Sequence, residues 1–499
     1  MAAISTRLEW HRLSVVTINL IKGKHSIIKQ GIDMPSASRP EIDELCFQTC
    51  SLIKEYFKEA AQLYGGFGNI FALFFHDLVI HFTGLILHRN ALAEYVRSEP
   101  FPWVDTEYAR NPSVVSIGSF STQSGYTSFR QRVHGAGLFP VAHGLSIPLG
   151  YRRNRVAGLI LKVLLPHALQ RQAYLPNQAS QINSLDSLVR DLGRLVDAPN
   201  REVICQNWLA YAKRHTTSRE SVLKEKGILL GTRNNLLNRI HAINYQQQGK
   251  CVVAFTHGEI TNAVFDEPVF GYSDKTLCTV LVDYGSFNAR QVDFPAIIKP
   301  GKVVRRSSPV IASTYDRASD IEYRELTGSR NLYIPTVYQG SCLYGPTHAY
   351  ESETYYQWHL NVAKCLPNMT IKVHPKTRIQ REFPCDTESR QLDDCIGDYD
   401  VLIFDFFSTA SVLSIFTDKP VIYFDIGLRR LDPDFAAALA RRCTVINIDF
   451  EQEWEAQIHA GLAEYADQRK TASNLELAQY SITKGAKFSL RSTIMDIIR

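Results

Sequence analysis

Between Cys251 and Asp467 the chain alternates short apolar runs with stretches of helical periodicity, and this alternation limits the fold more than any other feature. Cys251-Val-Val-Ala-Phe255, Thr279–Val282, Asn331–Pro335, Met369–Val373, Tyr399–Phe404, Val421–Phe424 and Thr444–Ile448 read as buried strands. Glu353–Leu366, Phe435–Arg442 and Glu451–Asp467 read as helices between or after them. Strands that are apolar on both faces and separated by helices predict a parallel sheet with helices on each side. In such sheets ligands bind beyond the carboxyl ends of the strands. His257, His374 and Ser408 each fall just past a strand end.

The segment Val401–Ser411 carries this furthest. A strand ends at Asp405, and Ser408 and Thr409 then open a helix through Val412, Leu413, Ile415 and Phe416. Free backbone N–H groups and hydroxyls at a helix start suit a phosphate. Upstream, Ile371-Lys372-Val373-His374-Pro375 ends a strand in a basic tip. Together the two segments predict a site for a nucleotide-linked sugar. Each residue also has a purely structural reading. Ser408 and Thr409 cap a helix without any ligand. Pro375 stops a strand. Asp405 is either a turn former or a group that orients a loop or a ribose hydroxyl, and His257 is a core histidine or a general base.

At 499 residues the chain requires two or three domains. Lys and Arg number 55 against 50 Asp and Glu, an excess too small for a nucleic-acid binder. The ten cysteines include no CxxC pair, so reduced thiols and no zinc site are expected. Met1–Trp10 carries Glu and Arg before any apolar run, so no secretory signal is expected there. Ile70–Leu87 is rich in Phe, Leu and Ile but contains His76, Asp77 and His81, which favours a buried helix over a membrane-surface one.

Residues 1–110 read as a helical region, including Glu41–Leu63. Residues 111–325 read as a first α/β lobe and 326–480 as a second, followed by a tail at 481–499. In the first lobe, Val114–Ile117 reads as a strand, and Asp186–Lys213 and Ser218–Ile243 read as helices. Ser113–Tyr151 is rich in Gly and Ser; its His134-Gly135 and His143-Gly144 are candidate walls of an acceptor site. Arg305–Glu325 reads as the crossing between lobes, and His348 is a candidate neighbour of a nucleotide base.

Three motifs in this order resemble a known group: Thr256-His257-Gly258-Glu259, Lys372-Val373-His374-Pro375 and Asp405-Phe406-Phe407-Ser408-Thr409. Residues 250–450 resemble the GT-B-fold transferases of bacterial surface polysaccharides, among them the CDP-glycerol glycerophosphotransferase and surface-carbohydrate-biosynthesis group. The resemblance implies two Rossmann-like lobes around a central cleft. It implies transfer of a sugar from a nucleotide-sugar donor to a glycan or lipid-linked glycan acceptor for capsule, lipopolysaccharide or a similar polymer. The alternatives are a polyol-phosphate transferase using a CDP-linked donor, a non-catalytic nucleotide-sugar-binding assembly protein, and an epimerase of the same fold. Phe406-Phe407 stands where glycerophosphotransferases carry small or polar residues, which favours a sugar transferase.

The implied roles are as follows. His257 or Glu259 deprotonates the acceptor. His374 contacts the donor phosphates, with Lys372 or Lys376 adding charge and Ser408, Thr409 and Asp405 completing the site. No cofactor beyond the co-substrate is expected. Asp398-Tyr399-Asp400 spells DxD but enters its strand from the wrong end, so metal independence is expected. A cytoplasmic location is expected, with peripheral contact at the inner face of the membrane.

Overall fold

The computed structural model describes residues 39–87, four short strands between 114 and 146, most of 172–336, and 352–480 apart from 374–380, 430 and 468–474. His134, His143, His257, Glu259, His348, His374 and Lys376 lie outside the described residues, as do Met1–Trp10 and 481–499.

Two helices come first, α1 (Arg39–Tyr64) and α2 (Ile70–Leu87). α2 is apolar around much of its circumference, and Ile70–Phe75, Leu78, Val79, Phe82 and Leu85 are all buried. Its polar residues are accommodated by pairing: Asp77 meets the buried Arg239 in an ion pair, and His81 Nδ1 accepts from Trp208 Nε1 at 3.0 Å. Among the described residues no helix is long and apolar enough to cross a membrane.

The hairpin β1 (Val114–Ile117) and β2 (Phe120–Gln123) begins the first large sheet. β3 (Val141–Ala142) and β4 (Leu145–Ser146) pair separately, as do β5 (Ala173–Tyr174) and β6 (Thr216–Thr217). Between the latter two run α3 (Gln178–Leu195) and α4 (Arg201–His215). One continuous helix was expected here. Asp197 and Asn200 instead adopt positive φ, and Asn200 stands at the N-cap position of the new helix without a side-chain bond to it. Short Asx residues tolerate that conformation and so break the helix.

β7 (Gly227–Leu230), α5 (Leu236–Gln247), β8 (Cys251–Phe255), β9 (Val280–Tyr284) and β10 (Lys302–Arg306) follow. The sheet order is β1-β2-β7-β8-β9-β10, parallel from β2 onward. β7 corrects the expected helix over 218–243: a four-residue apolar run does not reveal its own period, and its place between β2 and β8 decides the matter. α1 and α2 share one core with α3, α4, α5, β7 and β8.

The second sheet is separate and wholly parallel. It contains β11 (Asn331–Ile334), β12 (Met369–Ile371), β13 (Asp386–Thr387), β14 (Val401–Phe404), β15 (Val421–Asp425) and β16 (Thr444–Asn447). Its helices are α6 (Ser352–Cys365), α7 (Leu392–Cys395), α8 (Thr409–Ile415), α9 (Pro433–Arg442), α10 (Trp454–Asp467) and α11 (Leu475–Ala478). Alternate residues divide between its faces. Leu332, Leu402, Phe404 and Tyr423 pack with α8, α9 and α11. Tyr333, Ile403, Ile422 and Phe424 pack with α6 and α10. Two distinct mainly parallel sheets with flanking helices make this the α/β class predicted from the sequence.

Among the described residues, two short segments make contact between the sheets. Ala263 and Val264, which follow β8, belong to the core of the second sheet. Val264 bridges Leu431, and Asp432 N–H donates to the Ala263 carbonyl at 2.8 Å. From the other side, Ser286 N–H donates to the Gln479 carbonyl at 2.7 Å.

Candidate functional site

The strand order of the second sheet is β13-β12-β11-β14-β15-β16. From β11 the chain builds outward through β12 and β13, then returns to build the other way from β14. The order reverses between β11 and β14. At such a switch point the two loops leaving the carboxyl ends diverge and leave a crevice, where α/β sheets bind ligands.

Asp405 stands at this point, one residue past β14, and is fully buried. Its carboxylate accepts from the Tyr333 hydroxyl on β11, from Trp358 Nε1 on α6 at 2.7 Å, and from the backbone N–H of Thr336 beyond β11. His359 Nε2 is 3.6 Å away. Burial pushes the carboxyl up to about 6, although the three donors oppose the shift. Burial likewise lowers His359 to about 3, so the imidazole is neutral near physiological pH. The described contacts of Asp405 are with protein donors, and they fix the start of the loop after β11.

Ser408 takes an extended conformation and caps α8. Its N–H donates to Ser411 Oγ at 3.1 Å, and the Ser411 hydroxyl donates to the Phe406 carbonyl at 2.7 Å. The turn from β14 into α8 is thereby held by a residue inside the helix. Ser408 and Thr409 remain partly exposed at its mouth. Arg429 adds a positive charge beyond β15, with its guanidinium 4.5 Å over the Phe406 ring. Its signal in the sequence is the Gly427-Leu428-Arg429 run after an apolar strand, which the motif reading passed over.

Lys372 follows β12 at the carboxyl edge, and its N–H extends the ladder to the Tyr333 carbonyl at 2.8 Å. Its ammonium donates to the carbonyl of Arg390, beyond β13. β11 lies between β12 and β14. Lys372 and the Ser408–Thr409 turn, expected to meet at one phosphate, are therefore not brought together by the described contacts.

At the opposite, amino end of this sheet, Arg330, Asn368, Met369, Thr370, Asp386, Asp398 and Tyr399 line a cavity of about 490 Å³. The DxD carboxylates belong to this end. Asp398 is paired with Arg390 at 2.8 Å, and Asp400 accepts the Arg330 N–H at 2.9 Å.

The first sheet carries a second polar cluster near its carboxyl ends. Asp283, buried in β9, accepts from the Thr256 hydroxyl at 2.7 Å, Lys275 Nζ at 2.7 Å and Arg305 on β10 at 3.0 Å. Burial alone would raise this carboxyl, but Lys275 and Arg305 outweigh it and hold it below its ordinary value. One carboxylate facing two cations leaves an excess positive charge beside Thr256, the residue immediately before His257. The strand read over Thr279–Val282 stops short of Asp283 and gives it no role, because Lys275 and Arg305 approach it only in the fold.

The chain matches no known protein family, and no curated protein sequence is similar to it. Three solved structures similar to it are glycosyltransferases by their titles. The spinosyn forosaminyltransferase SpnP is 11% identical, covering 63% of this chain and 83% of that one, with a TM-score of 0.32. The glycosyltransferase SnogD from Streptomyces nogalater is 11% identical, covering 76% and 90%, with a TM-score of 0.31. The glycotransferase of kitacinnamycin is 10% identical, covering 65% and 84%, with a TM-score of 0.31.

Proposed function

We propose that this chain is a glycosyltransferase that takes its sugar from a nucleotide-linked donor, bound at the carboxyl ends of β11 and β14. The observation that carries this reading is the reversal of strand order between those two strands, with Asp405 joining their loops. Ser408 and Thr409 offer hydroxyls and helix-start N–H groups to the donor phosphates, and Arg429 supplies nearby charge. These groups stabilise the negative charge that develops on the leaving phosphate.

His374, two residues after Lys372, is the further phosphate contact in this reading. His257 or Glu259, following Thr256 in the chain, takes the proton from the acceptor hydroxyl. The excess positive charge at Asp283, Lys275 and Arg305 favours an acceptor bearing an anionic group. An envelope polysaccharide or a lipid-linked precursor fits that description, and the motif resemblance supports the same class.

The test is a thermal-shift panel of CMP, CDP, UDP and GDP, followed by a transfer assay with the nucleotide sugar of whichever base binds. A native-state ligand raises the unfolding midpoint by mass action. We expect one base to do so, and Ser408→Ala/Thr409→Ala to abolish the shift while the protein stays folded. Absence of a shift with every nucleotide would overturn the reading.

A further inference from the structure

The absence of CxxC pairs argues against a zinc site built on one turn of chain, but it does not bear on ligands gathered from two helices. α6 and α10 lie against each other on one face of the second sheet, with Trp358 and Trp454 in edge contact at 6.0 Å between centroids. Where they meet, the last residue of α6, Cys365, comes together with Glu455 and His459 of α10. The Sγ, carboxylate and imidazole donor atoms all lie within 4.8 Å of one another. Glu455 and His459 are one helical turn apart, so their side chains share a face.

We propose that Cys365, Glu455 and His459 form a Zn²⁺ site that clamps α6 to α10. A thiolate, an imidazole and a carboxylate are ordinary zinc donors, and three protein ligands leave a fourth position for water. Metal–ligand lengths of about 2.0–2.3 Å in a tetrahedron place neighbouring donors roughly 3.5 Å apart. The three side chains therefore need to close by about 1 Å, within the reach of rotamer adjustment at a partly exposed surface. Cys365 is a free thiol, and burial followed by the nearby Glu455 charge raises its pKa. Zn²⁺ reverses that by binding the thiolate directly, releasing one proton from sulfur.

The site already attracts a cation. Lys364 Nζ lies 2.6 Å from Glu455 Oε2, and its side chain is 65% exposed, free to swing into solvent when the metal arrives. His459 Nε2 faces the other carboxylate oxygen at 3.9 Å. Because α6 also presents Trp358 and His359 to Asp405, the ion would brace the helix that holds the switch-point carboxylate.

The experiment uses the full chain, dialysed against a chelator and titrated with Co²⁺ as a spectroscopic substitute for Zn²⁺. We expect a thiolate-to-cobalt charge-transfer band that saturates at one equivalent and is erased by Zn²⁺. Zn²⁺ should also raise the unfolding midpoint. Cys365→Ser should lose the band. His459→Ala, at an exposed position that the fold tolerates, should weaken binding by more than about tenfold, since even outer-shell partners of a metal are worth about 10–100-fold. Lys364→Gln should tighten binding by removing the competing cation. Cys385→Ser, at a free cysteine elsewhere, should change nothing. No band at one equivalent in the unmodified protein, or a band that survives Cys365→Ser, would overturn the proposal.

Discussion

The carboxylate of Asp405, one residue past β14, accepts the backbone N–H of Thr336, two residues past β11. The bond spans the point where the strand order of the second sheet reverses. It converts two diverging loops into one fixed edge. Tyr333 and Trp358 donate to the same carboxylate, from the neighbouring strand and from the covering helix. One side chain thus joins strand, loop and helix at the place where a ligand is expected.

Asp405→Ala strands three buried donors at once. Each unsatisfied group costs about 1–3 kcal/mol, so the variant should lose at least about 3 kcal/mol of unfolding free energy. Urea denaturation measures this directly. A loss below about 1 kcal/mol would show that the loops hold their positions without the carboxylate.

The same residue gives stability a defined pH dependence. Its carboxyl rises from 3.8 to about 6 in the folded protein, chiefly through burial. The folded state therefore prefers the protonated form. That contribution is complete below about pH 4 and is lost as pH rises through about 6, a swing of about 3 kcal/mol at 1.36 kcal/mol per unit. Asp405→Asn cannot titrate. The unfolding free energy of the native protein minus that of the variant should fall by about 2 kcal/mol between pH 4 and pH 6.5, most of the full swing. A flat difference would mean that the three donors offset the burial.

Ser411 should matter to the turn more than its position inside a helix suggests. It accepts from Ser408 N–H and donates to the Phe406 carbonyl. Ser411→Ala removes both bonds and should cost about 1–2 kcal/mol. It should also weaken nucleotide binding, because Ser408 and Thr409 lose their fixed positions. Unchanged affinity in a destabilised variant would separate the cap from the proposed phosphate site.

Gly285 is held by a different constraint. Its φ is +69°, and a Cβ there would come within 2.4 Å of the Gln479 carbonyl oxygen. Gly285→Ala must push residues 479–480 away from the first sheet, breaking the bond between Ser286 N–H and the Gln479 carbonyl. Limited proteolysis should then cut between Asp467 and Tyr480 faster than in the native protein, and the unfolding midpoint should drop.

The centre of the second sheet was legible in the sequence because β11, β14 and β15 are apolar runs buried on both faces, as in Val401-Leu-Ile-Phe404, whereas the two-residue edge strand β13 (Asp386–Thr387) is exposed and carries no such signal. The order of those strands was not legible, because a run of apolar residues does not say on which side of its neighbour it will pair. β7 was hidden for a related reason: Gly227-Ile-Leu-Leu230 fits either period until β2 and β8 close around it. The position of Ser408 at a strand-to-helix turn could be read locally. The partners of Asp405 could not, since Tyr333 and Trp358 are 72 and 47 residues away in the chain. Asp283 illustrates the same limit, as Lys275 comes from eight residues earlier in the chain and Arg305 reaches it from the neighbouring strand.

The last prediction separates two histidines by chain position. His257 follows Thr256, whose hydroxyl is tied to Asp283 in the first sheet, and His374 follows β12 in the second. If His257 is the base for the acceptor, His257→Ala should lower turnover by about 10²–10⁴-fold and leave nucleotide affinity near its original value. His374→Ala should lower both, because its partner in the proposed reaction is the leaving phosphate. Asp283→Asn is the useful companion to the first variant. It removes the charge that Lys275 and Arg305 balance, so it should alter the dependence of turnover on acceptor concentration and not the affinity for nucleotide. Equal loss of nucleotide affinity in His257→Ala and His374→Ala would contradict this division, and normal turnover in His257→Ala would transfer the role of base to Glu259.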